Sequence, residues 1–522
     1  VTAPAPLVVV GDALLDRDLD GRADRLAPDA PVPVVHGARR ATRPGGAALA
    51  AGLAALDGRE VTLVTALGSD EASAALRRLL PGRVRVVALP LAGSLPQKTR
   101  ILAEGTPVCR LDDGDGRAAG ATDEARAALA AAGAVLVSDY GRGTAEVLRD
   151  SLAAAASRVP VVWDPHPRGG PPVPGSRAVT PSAAEARRLA PTVGPRAGET
   201  TARHGEAAGR AELSRAARDA AALVDGWDVA SVVVTLGSTG ALLCHGADPL
   251  LVPAVSAGRQ DACGAGDRFA ATLAGLLADG VVTETAVRGA VAAAGRYVAA
   301  GGAATLATDG TARGAFGEED HAGVRCRPHR DGSDTHAAAP PARGAARGGP
   351  DGEAVLSAAR VRAAGGTVVA TGGCFDLLHA GHIALLEAAR GVGDHLVVCV
   401  NSDASVRRRK GGSRPLVPLA DRVRVLRALG CVDAVAVFDE DTPEQLLREL
   451  RPDVWAKGGD YAHADLPEAP LVRSWGGQVV LLPYLDGRST TGIAARAAGH
   501  RVPIDGARPG GPQPERSRAG RR

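Results

Sequence analysis

The stretch Thr371–Leu385, TGGCFDLLHAGHIAL, decides how this chain is read. It follows the apolar run Thr367-Val368-Val369-Ala370, which predicts a short buried strand. Two glycines then allow a tight turn, and from Ile383 the spacing of IALLEAAR is helical. His379 and His382 therefore stand where a strand hands over to a helix N-terminus. Such an end offers unpaired backbone N–H groups and the positive pole of the helix dipole, which suit a phosphate. Two imidazoles three residues apart add side-chain donors, and Gly381 lets a ligand approach closely. A pair of histidines alone more often caps a helix; the strand, the glycine turn and the H-x-G-H spacing together favour a site.

The same strand–loop–helix logic runs through the first 300 or so residues. Leu7–Val10, Val61–Thr65, Ala134–Val137, Val159–Trp163 and Val229–Thr235 read as buried strands alternating with amphipathic helices. Such βα units imply a parallel sheet covered on both faces, with ligands beyond the carboxyl ends of the strands. Asp12, Asp139 and Asp164 each follow such an end; one alone would be an ordinary cap, and three on one rim favour a site. Gln260–Asp267, QDACGAGD, opens a helix read as Arg268–Leu277. Consecutive N–H groups at a glycine-rich helix start form an anion hole, assigned to Gly264, Ala265 and Gly266. Asp267 is placed to take a proton from an attacking hydroxyl. Arg268 reads either as a phosphate contact or as a solvent-facing side chain.

Composition sets the bounds. The 522 residues carry a formal charge of +3, too small to argue for nucleic acid. Seven cysteines without a C-x-x-C fit reduced thiols in a cytoplasmic protein. No apolar run is long enough to cross a bilayer, and no signal peptide is expected. Residues 309–352 and 499–522 are poor in large apolar side chains and read as a disordered linker and tail. The histidines of the linker, 321, 329 and 336, are irregularly spaced and do not argue for a metal. Residues 194–209 read as a surface insertion.

The downstream stretch GCFDLLHAGHIALLEAAR resembles the H-x-G-H signature of the cytidylyltransferase-like nucleotidyltransferases. The resemblance continues through Asn401-Ser402-Asp403, Lys410-Gly411, Arg414-Pro415, Asp421-Arg422, Lys457–Tyr461 and Ser489-Thr490-Thr491. Upstream, GDALLDRDLDGRADRLAPDAPVPVVHG, RPGGAA and GAGD resemble the ribokinase-like sugar kinases. The ordered pair is similar to the bifunctional heptose kinase/adenylyltransferase family. That resemblance implies an α/β chain: a ribokinase-like doubly wound sheet with a small β-lid at 1–308, then a smaller Rossmann-like nucleotidyltransferase domain at 353–498. It implies sugar contacts from Asp12, Asp16, Gly45 and Gly46, and nucleotide contacts from Gly237, Gly240, Phe375, Lys410, Lys457, Ser489 and Thr490. It implies Asp267, His379 and His382 as catalytic residues, Mg²⁺ organised through water by Glu185, and ATP as substrate. Two positions depart from the pattern: Leu49 and Ser182 stand where the kinases carry asparagine. The implied chemistry is phosphorylation of D-glycero-β-D-manno-heptose 7-phosphate at O1 and adenylyl transfer to heptose 1-phosphate, with a separate phosphatase acting between. Related kinases pair through their lids, so a homo-oligomer is expected, without nucleic-acid or membrane partners. Two alternatives stay open: a kinase fold kept for binding or assembly, and the same folds acting on another sugar phosphate or on CTP.

Overall fold

The computed structural model describes residues 4–193, 208–245, 249–254, 262–306, 350–458 and 466–482. The linker, the tail, the insertion, Gly459–Tyr461 and Ser489–Thr491 of the nucleotidyltransferase pattern therefore lie largely or wholly outside the described residues.

Fully buried runs such as Leu7–Gly11 and Val135–Ser138 form the centre of a parallel sheet. Buried on both faces, such strands lack alternation and read as continuous Val and Leu. In spatial order the kinase-half strands are Leu250–Pro253, Gly240–Cys244, Val232–Thr235, Ala178–Val179, Val161–Asp164, Val135–Ser138, Leu7–Gly11, Val61–Ala66 and Val84–Leu89. Helices cover both faces, making two cores around Trp163 and Leu152 on one side and Leu49 and Leu273 on the other. The second half orders Ala434–Phe438, His395–Asn401, Val368–Gly373, Val454–Gly458 and Gln478–Leu482, all parallel. Its chain order reverses between Val368–Gly373 and Val454–Gly458, the point where open α/β sheets hold ligands.

The two sheets meet edge to edge. Gln478–Leu482 pairs in parallel with Leu250–Pro253 through Leu481 and Leu250, giving one sheet of 14 strands. Leu481 N–H donates to Pro249 O at 3.2 Å, and Ser214 Oγ donates to Gln478 Oε1 at 3.1 Å. Nothing in the sequence pattern indicated this seam.

The lid is a separate four-stranded sheet, ordered His36–Gly46, Ala13–Arg22, Gln97–Ala103, Thr106–Asp113. The Gly45-Gly46 pair, expected to contact sugar, closes the long strand His36–Gly46, and helix Ala47–Leu56 follows at once. At φ 58° Gly46 sits where a Cβ would lie 2.5 Å from Asp12 O, so only glycine fits. Helices at Ala208–Trp227 and Thr283–Ala299 were not read from the sequence. No described helix is long and apolar enough to cross a membrane.

Candidate active sites

In the kinase half, helix Ala265–Ala278 begins three residues earlier than its sequence pattern suggested. Gly264 precedes it at φ 79°, a left-handed conformation open to glycine. Ala265, Gly266 and Asp267 thus form the first turn. Ala265 N–H turns inward to Ala262 O at 3.1 Å, while Gly266 N–H has no acceptor among the described residues. Leu49 is 2% exposed, and its Cδ2 lies 3.0 Å from where a Cβ on Gly264 would sit. It packs the helix start from below.

Asp267 is enclosed. Burial pushes its carboxyl up to about 7, against the hydrogen bond from Tyr140 Oη to Oδ1 at 3.2 Å. Asp16 raises it further, and Lys98 opposes. Asp164 is pushed well above its ordinary value by burial and by Asp267, although Thr180 Oγ1 donates to it at 2.8 Å. Asp139 rises to about 6, again through burial. Lys98 Nζ stands 5.2 Å from the centre of the Tyr140 ring, and His166 stacks on that ring at 5.8 Å.

Asp12 takes a different place from its neighbours on the rim. Its two oxygens accept N–H bonds from Tyr140 at 3.0 Å, Arg142 at 2.8 Å and Thr144 at 3.2 Å. Its carboxylate therefore pins the loop that presents Tyr140. Asp16 faces the site with its carboxyl raised by desolvation, and a Cβ on Gly45 would lie 2.9 Å from it. Arg43, 1% exposed, pairs with Asp18 and approaches Asp16 at 3.9 Å. Arg100 Nε also reaches Asp18, at 2.8 Å. Gly237 and Gly240 form the turn between Val232–Thr235 and Gly240–Cys244, both at positive φ.

One reading is corrected here. Arg268 is neither free for phosphate nor solvent-facing: it donates to Leu53 O at 3.0 Å and to Asp57 at 2.6 Å, tying its helix to Ala47–Leu56. Ser182 serves as the N-cap of helix Ala183–Leu189 in a reciprocal capping box with Glu185. Glu185 Oε2 accepts from Ser182 N and Oγ at 2.9 and 2.7 Å, leaving Oε1 for other contacts.

Whether these carboxylates fit Mg²⁺ is answered by their charge. Burial and the neighbouring charges of Asp267 and Glu185 push the Asp164 carboxyl up, an acidic surplus a divalent ion relieves. Among the described residues no three ligand side chains converge on one point. The arrangement suits an ion held mainly by phosphate and water, as Mg²⁺ is.

In the second half the helix runs Ala380–Arg390, earlier than the expected start at Ile383. His379 is its N-cap, accepting at Nδ1 from Gly381 N–H at 3.2 Å. That bond leaves Nε2–H as the donor of the neutral ring. His382 stacks on His379 with ring centres 3.9 Å apart. Burial first, then His379 and Lys410, depress His382 to about 4. Its Nδ1 has no partner among the described residues. Phe375, expected to touch nucleotide, is 3% exposed and packs against His382 at 5.3 Å.

The remaining motif residues build the frame. Asp376 accepts from Leu416 N, Val417 N and Arg414 Nη1 at 2.6, 2.9 and 2.6 Å. Arg422, 1% exposed, donates to Cys374 O, Asn401 O and Asp403 at 2.6, 2.9 and 2.6 Å. The basic run ending at Lys410 is helical, Asp403–Lys410, and Lys410 Nζ reaches Cys374 Sγ at 3.0 Å. Lys457 is held by both oxygens of Glu468 at 3.1 Å. Tyr140, Lys98, Trp455 and Glu468 were missed in the sequence. Tyr140 alone had a signal, its place after the rim aspartate Asp139.

A cytidylyltransferase-like family model matches residues 370–483, and the pfkB carbohydrate kinase model matches residues 5–309. The bifunctional protein HldE of Streptomyces coelicolor is 62% identical over 499 residues, 95% of this chain and 97% of that protein. This chain belongs to the HldE family. Its counterpart HldE in Azorhizobium caulinodans is 39% identical, over 95% of this chain and 99% of that protein. Among solved structures, an Arabidopsis thaliana ribokinase complexed with ribose and ATP aligns over 57% of this chain and 93% of its own, at 24% identity and a TM-score of 0.43. Kinase and nucleotidyltransferase domains thus stand in one HldE-family chain, in the order read from the sequence.

Proposed function

We propose that this chain performs two steps on one sugar: ATP-dependent phosphorylation of D-glycero-β-D-manno-heptose 7-phosphate at O1, and adenylyl transfer from ATP to heptose 1-phosphate. The supporting observation is the presence in one chain of two different phosphate cradles. One has a buried carboxyl poised at about 7 at a glycine-led helix start, the other a stacked pair of imidazoles at a second helix start, with His382 depressed to about 4.

In the first step Asp267 takes the proton of the O1 hydroxyl as that oxygen attacks the γ-phosphorus, and ADP leaves. A carboxyl near 7 is half ionised at neutral pH, which matches base strength to working conditions. Gly266 N–H and the helix dipole meet the transferring phosphoryl, with Gly264 and Ala265 shaping the turn. Mg²⁺, with Glu185 and Asp164 near its hydration shell, would offset phosphate charge. Asp16 faces the sugar from the lid, and Asp12 fixes the Tyr140 loop.

In the second step a phosphate oxygen of the sugar 1-phosphate attacks the α-phosphorus of ATP and pyrophosphate leaves. No covalent enzyme intermediate is required. His379 Nε2–H and the His382 ring donate to the phosphates as charge moves to the leaving group, helped by Lys410. Ser489 and Thr490 are proposed phosphate contacts on sequence grounds. Because the first product carries two phosphates and the second acceptor one, a phosphatase acts between the steps.

Mass spectrometry tests this. The full chain with heptose 7-phosphate, ATP and Mg²⁺ is expected to give the 1,7-bisphosphate and ADP. Adding a phosphatase specific for the 7-position is expected to give ADP-heptose and pyrophosphate. No ADP release above background would leave the kinase half as a binding module, and a preference for CTP would overturn the second step.

A further inference from the structure

A cavity of about 290 Å³ opens at the carboxyl ends of Val368–Gly373, His395–Asn401, Ala434–Phe438 and Val454–Gly458. It is lined by Asn401, Phe438, Lys410, Trp455, Lys457 and Glu468 among others. Its flooring residues Trp455 and Phe438 belong to the core on the opposite face of the sheet from Phe375 and Leu386, the core beside the histidine pair. Two features of this cavity are unexplained by the roles above. The Glu468 side chain is 5% exposed and meets one cation, Lys457, through both oxygens. An ionised carboxylate offers about four lone-pair positions, so acceptor capacity remains. Trp455 is 1% exposed, and its Nε1 donor has no partner among the described residues. A buried donor without an acceptor is costly unless a ligand completes it.

We propose that Glu468 and Trp455 read the hydroxyl groups of the acceptor sugar in the adenylyl-transfer step. Glu468 accepts hydroxyl hydrogens and holds Lys457 against the 1-phosphate, while Trp455 Nε1 donates to a sugar oxygen. The inference rests on the reading of the second half as a sugar-1-phosphate nucleotidyltransferase. A polyol asks for an acceptor-only group beside a lone donor over an aromatic floor, and the cavity supplies all three. The Glu468 carboxylate disfavours a polyphosphate at its own end of the cavity, where one lysine suffices for the single acceptor phosphate. The other end of the site, at the N-terminus of Ala380–Arg390, has imidazole and backbone donors instead and suits the polyphosphate. The ribose of ATP shares hydroxyl chemistry with the acceptor, so the experiment separates the two sources.

Steady-state pyrophosphate release is measured on the full chain for Glu468→Gln, Glu468→Asp and Trp455→Phe, varying heptose 1-phosphate and ATP in turn. Loss of hydrogen bonds to a charged acceptor is expected to raise the KM for heptose 1-phosphate about tenfold to a hundredfold in Glu468→Gln, with the KM for ATP unchanged. Glu468→Asp is expected to recover part of the loss. Trp455→Phe, which keeps the aromatic floor and removes the donor, is expected to raise the same KM about fivefold to tenfold. Kinase activity of each variant, in the other half of the chain, checks that the chain is folded, and the melting of the variants checks the second domain. A rise confined to the ATP KM would assign the cavity to the ribose and overturn the proposal, as would unchanged constants. A purely structural Glu468 would lower kcat and melting temperature together without a selective KM effect. Failure of the underlying reading looks different: the unaltered chain would release no pyrophosphate with heptose 1-phosphate.

Discussion

Replacing Tyr140 by phenylalanine tests the reading of Asp267 as a tuned base. The phenol donates to Asp267 Oδ1 at 3.2 Å and favours the ionised form, while burial pushes the carboxyl up to about 7. A hydrogen bond to a charged group contributes about 1.5 kcal/mol at the weak end, which suits this length. At 1.36 kcal/mol per unit, its loss raises the carboxyl by about one unit. The acidic limb of kcat/KM for heptose 7-phosphate, which reports the free enzyme, should therefore move from about 7 to about 8. At neutral pH the ionised fraction falls from one half to roughly a tenth, so kcat/KM drops about fivefold. Above about pH 9 the variant should regain nearly the rate of the unaltered chain, because the base is then ionised in both. The assay is coupled ADP release across that range at constant ionic strength and subsaturating sugar. A limb that stays in place, or moves to lower pH, would refute the idea that Tyr140 tunes a catalytic carboxyl. A uniform loss at every pH would show that the phenol positions the sugar instead.

Asp267→Asn should abolish sugar-dependent ADP release by about a hundredfold to ten-thousandfold and yet stabilise the kinase half at alkaline pH. The folded chain keeps the Asp267 proton up to about 7, whereas an unfolded carboxyl has a value of 3.8. Stability is therefore lost as pH rises through that window, by about 4 kcal/mol in total, and the asparagine variant escapes the loss. Melting curves should show the full gain at about pH 8.5, less than half of it at about pH 5, and none at about pH 3. In the second half, His382→Ala should lower pyrophosphate release about a hundredfold without affecting the kinase assay. Because His382 is held near 4, kcat/KM for adenylyl transfer should show no ionisation of this ring near the ordinary histidine value of 6.5; a limb there that vanishes in the variant would contradict the neutral donor. Arg422→Ala removes a buried cation that joins Cys374, Asn401 and Asp403, and should destabilise the second domain by roughly 3 kcal/mol, read as loss of adenylyl transfer with ADP release retained.

By itself the sequence determined the local devices. Buried strands announce themselves as Val and Leu runs, and phosphate cradles as glycines between a strand and a helix, because both are set by backbone geometry over a few residues. Hence GAGD, H-A-G-H and the rim aspartates were found where the structure has them. Only the tertiary structure decided what each side chain meets. Asp12 and Asp16 are four positions apart, yet one is consumed by the backbone of residues 140–144 and the other faces the site. Arg268 turns to Asp57, Phe375 packs on His382, and Arg422 becomes a strut that reaches Asp403. Tyr140 reaches Asp267 across 127 positions, and Glu468, at the start of helix Ala469–Ser474, reaches Lys457 on the strand Val454–Gly458. Proton affinities belong to the same class: burial and neighbouring charge move Asp267 and His382 in opposite directions, and both come from packing between segments distant in the chain. The seam between Leu250 and Leu481 likewise has no local signature, since an edge strand carries the same backbone donors and acceptors whether or not another strand meets it.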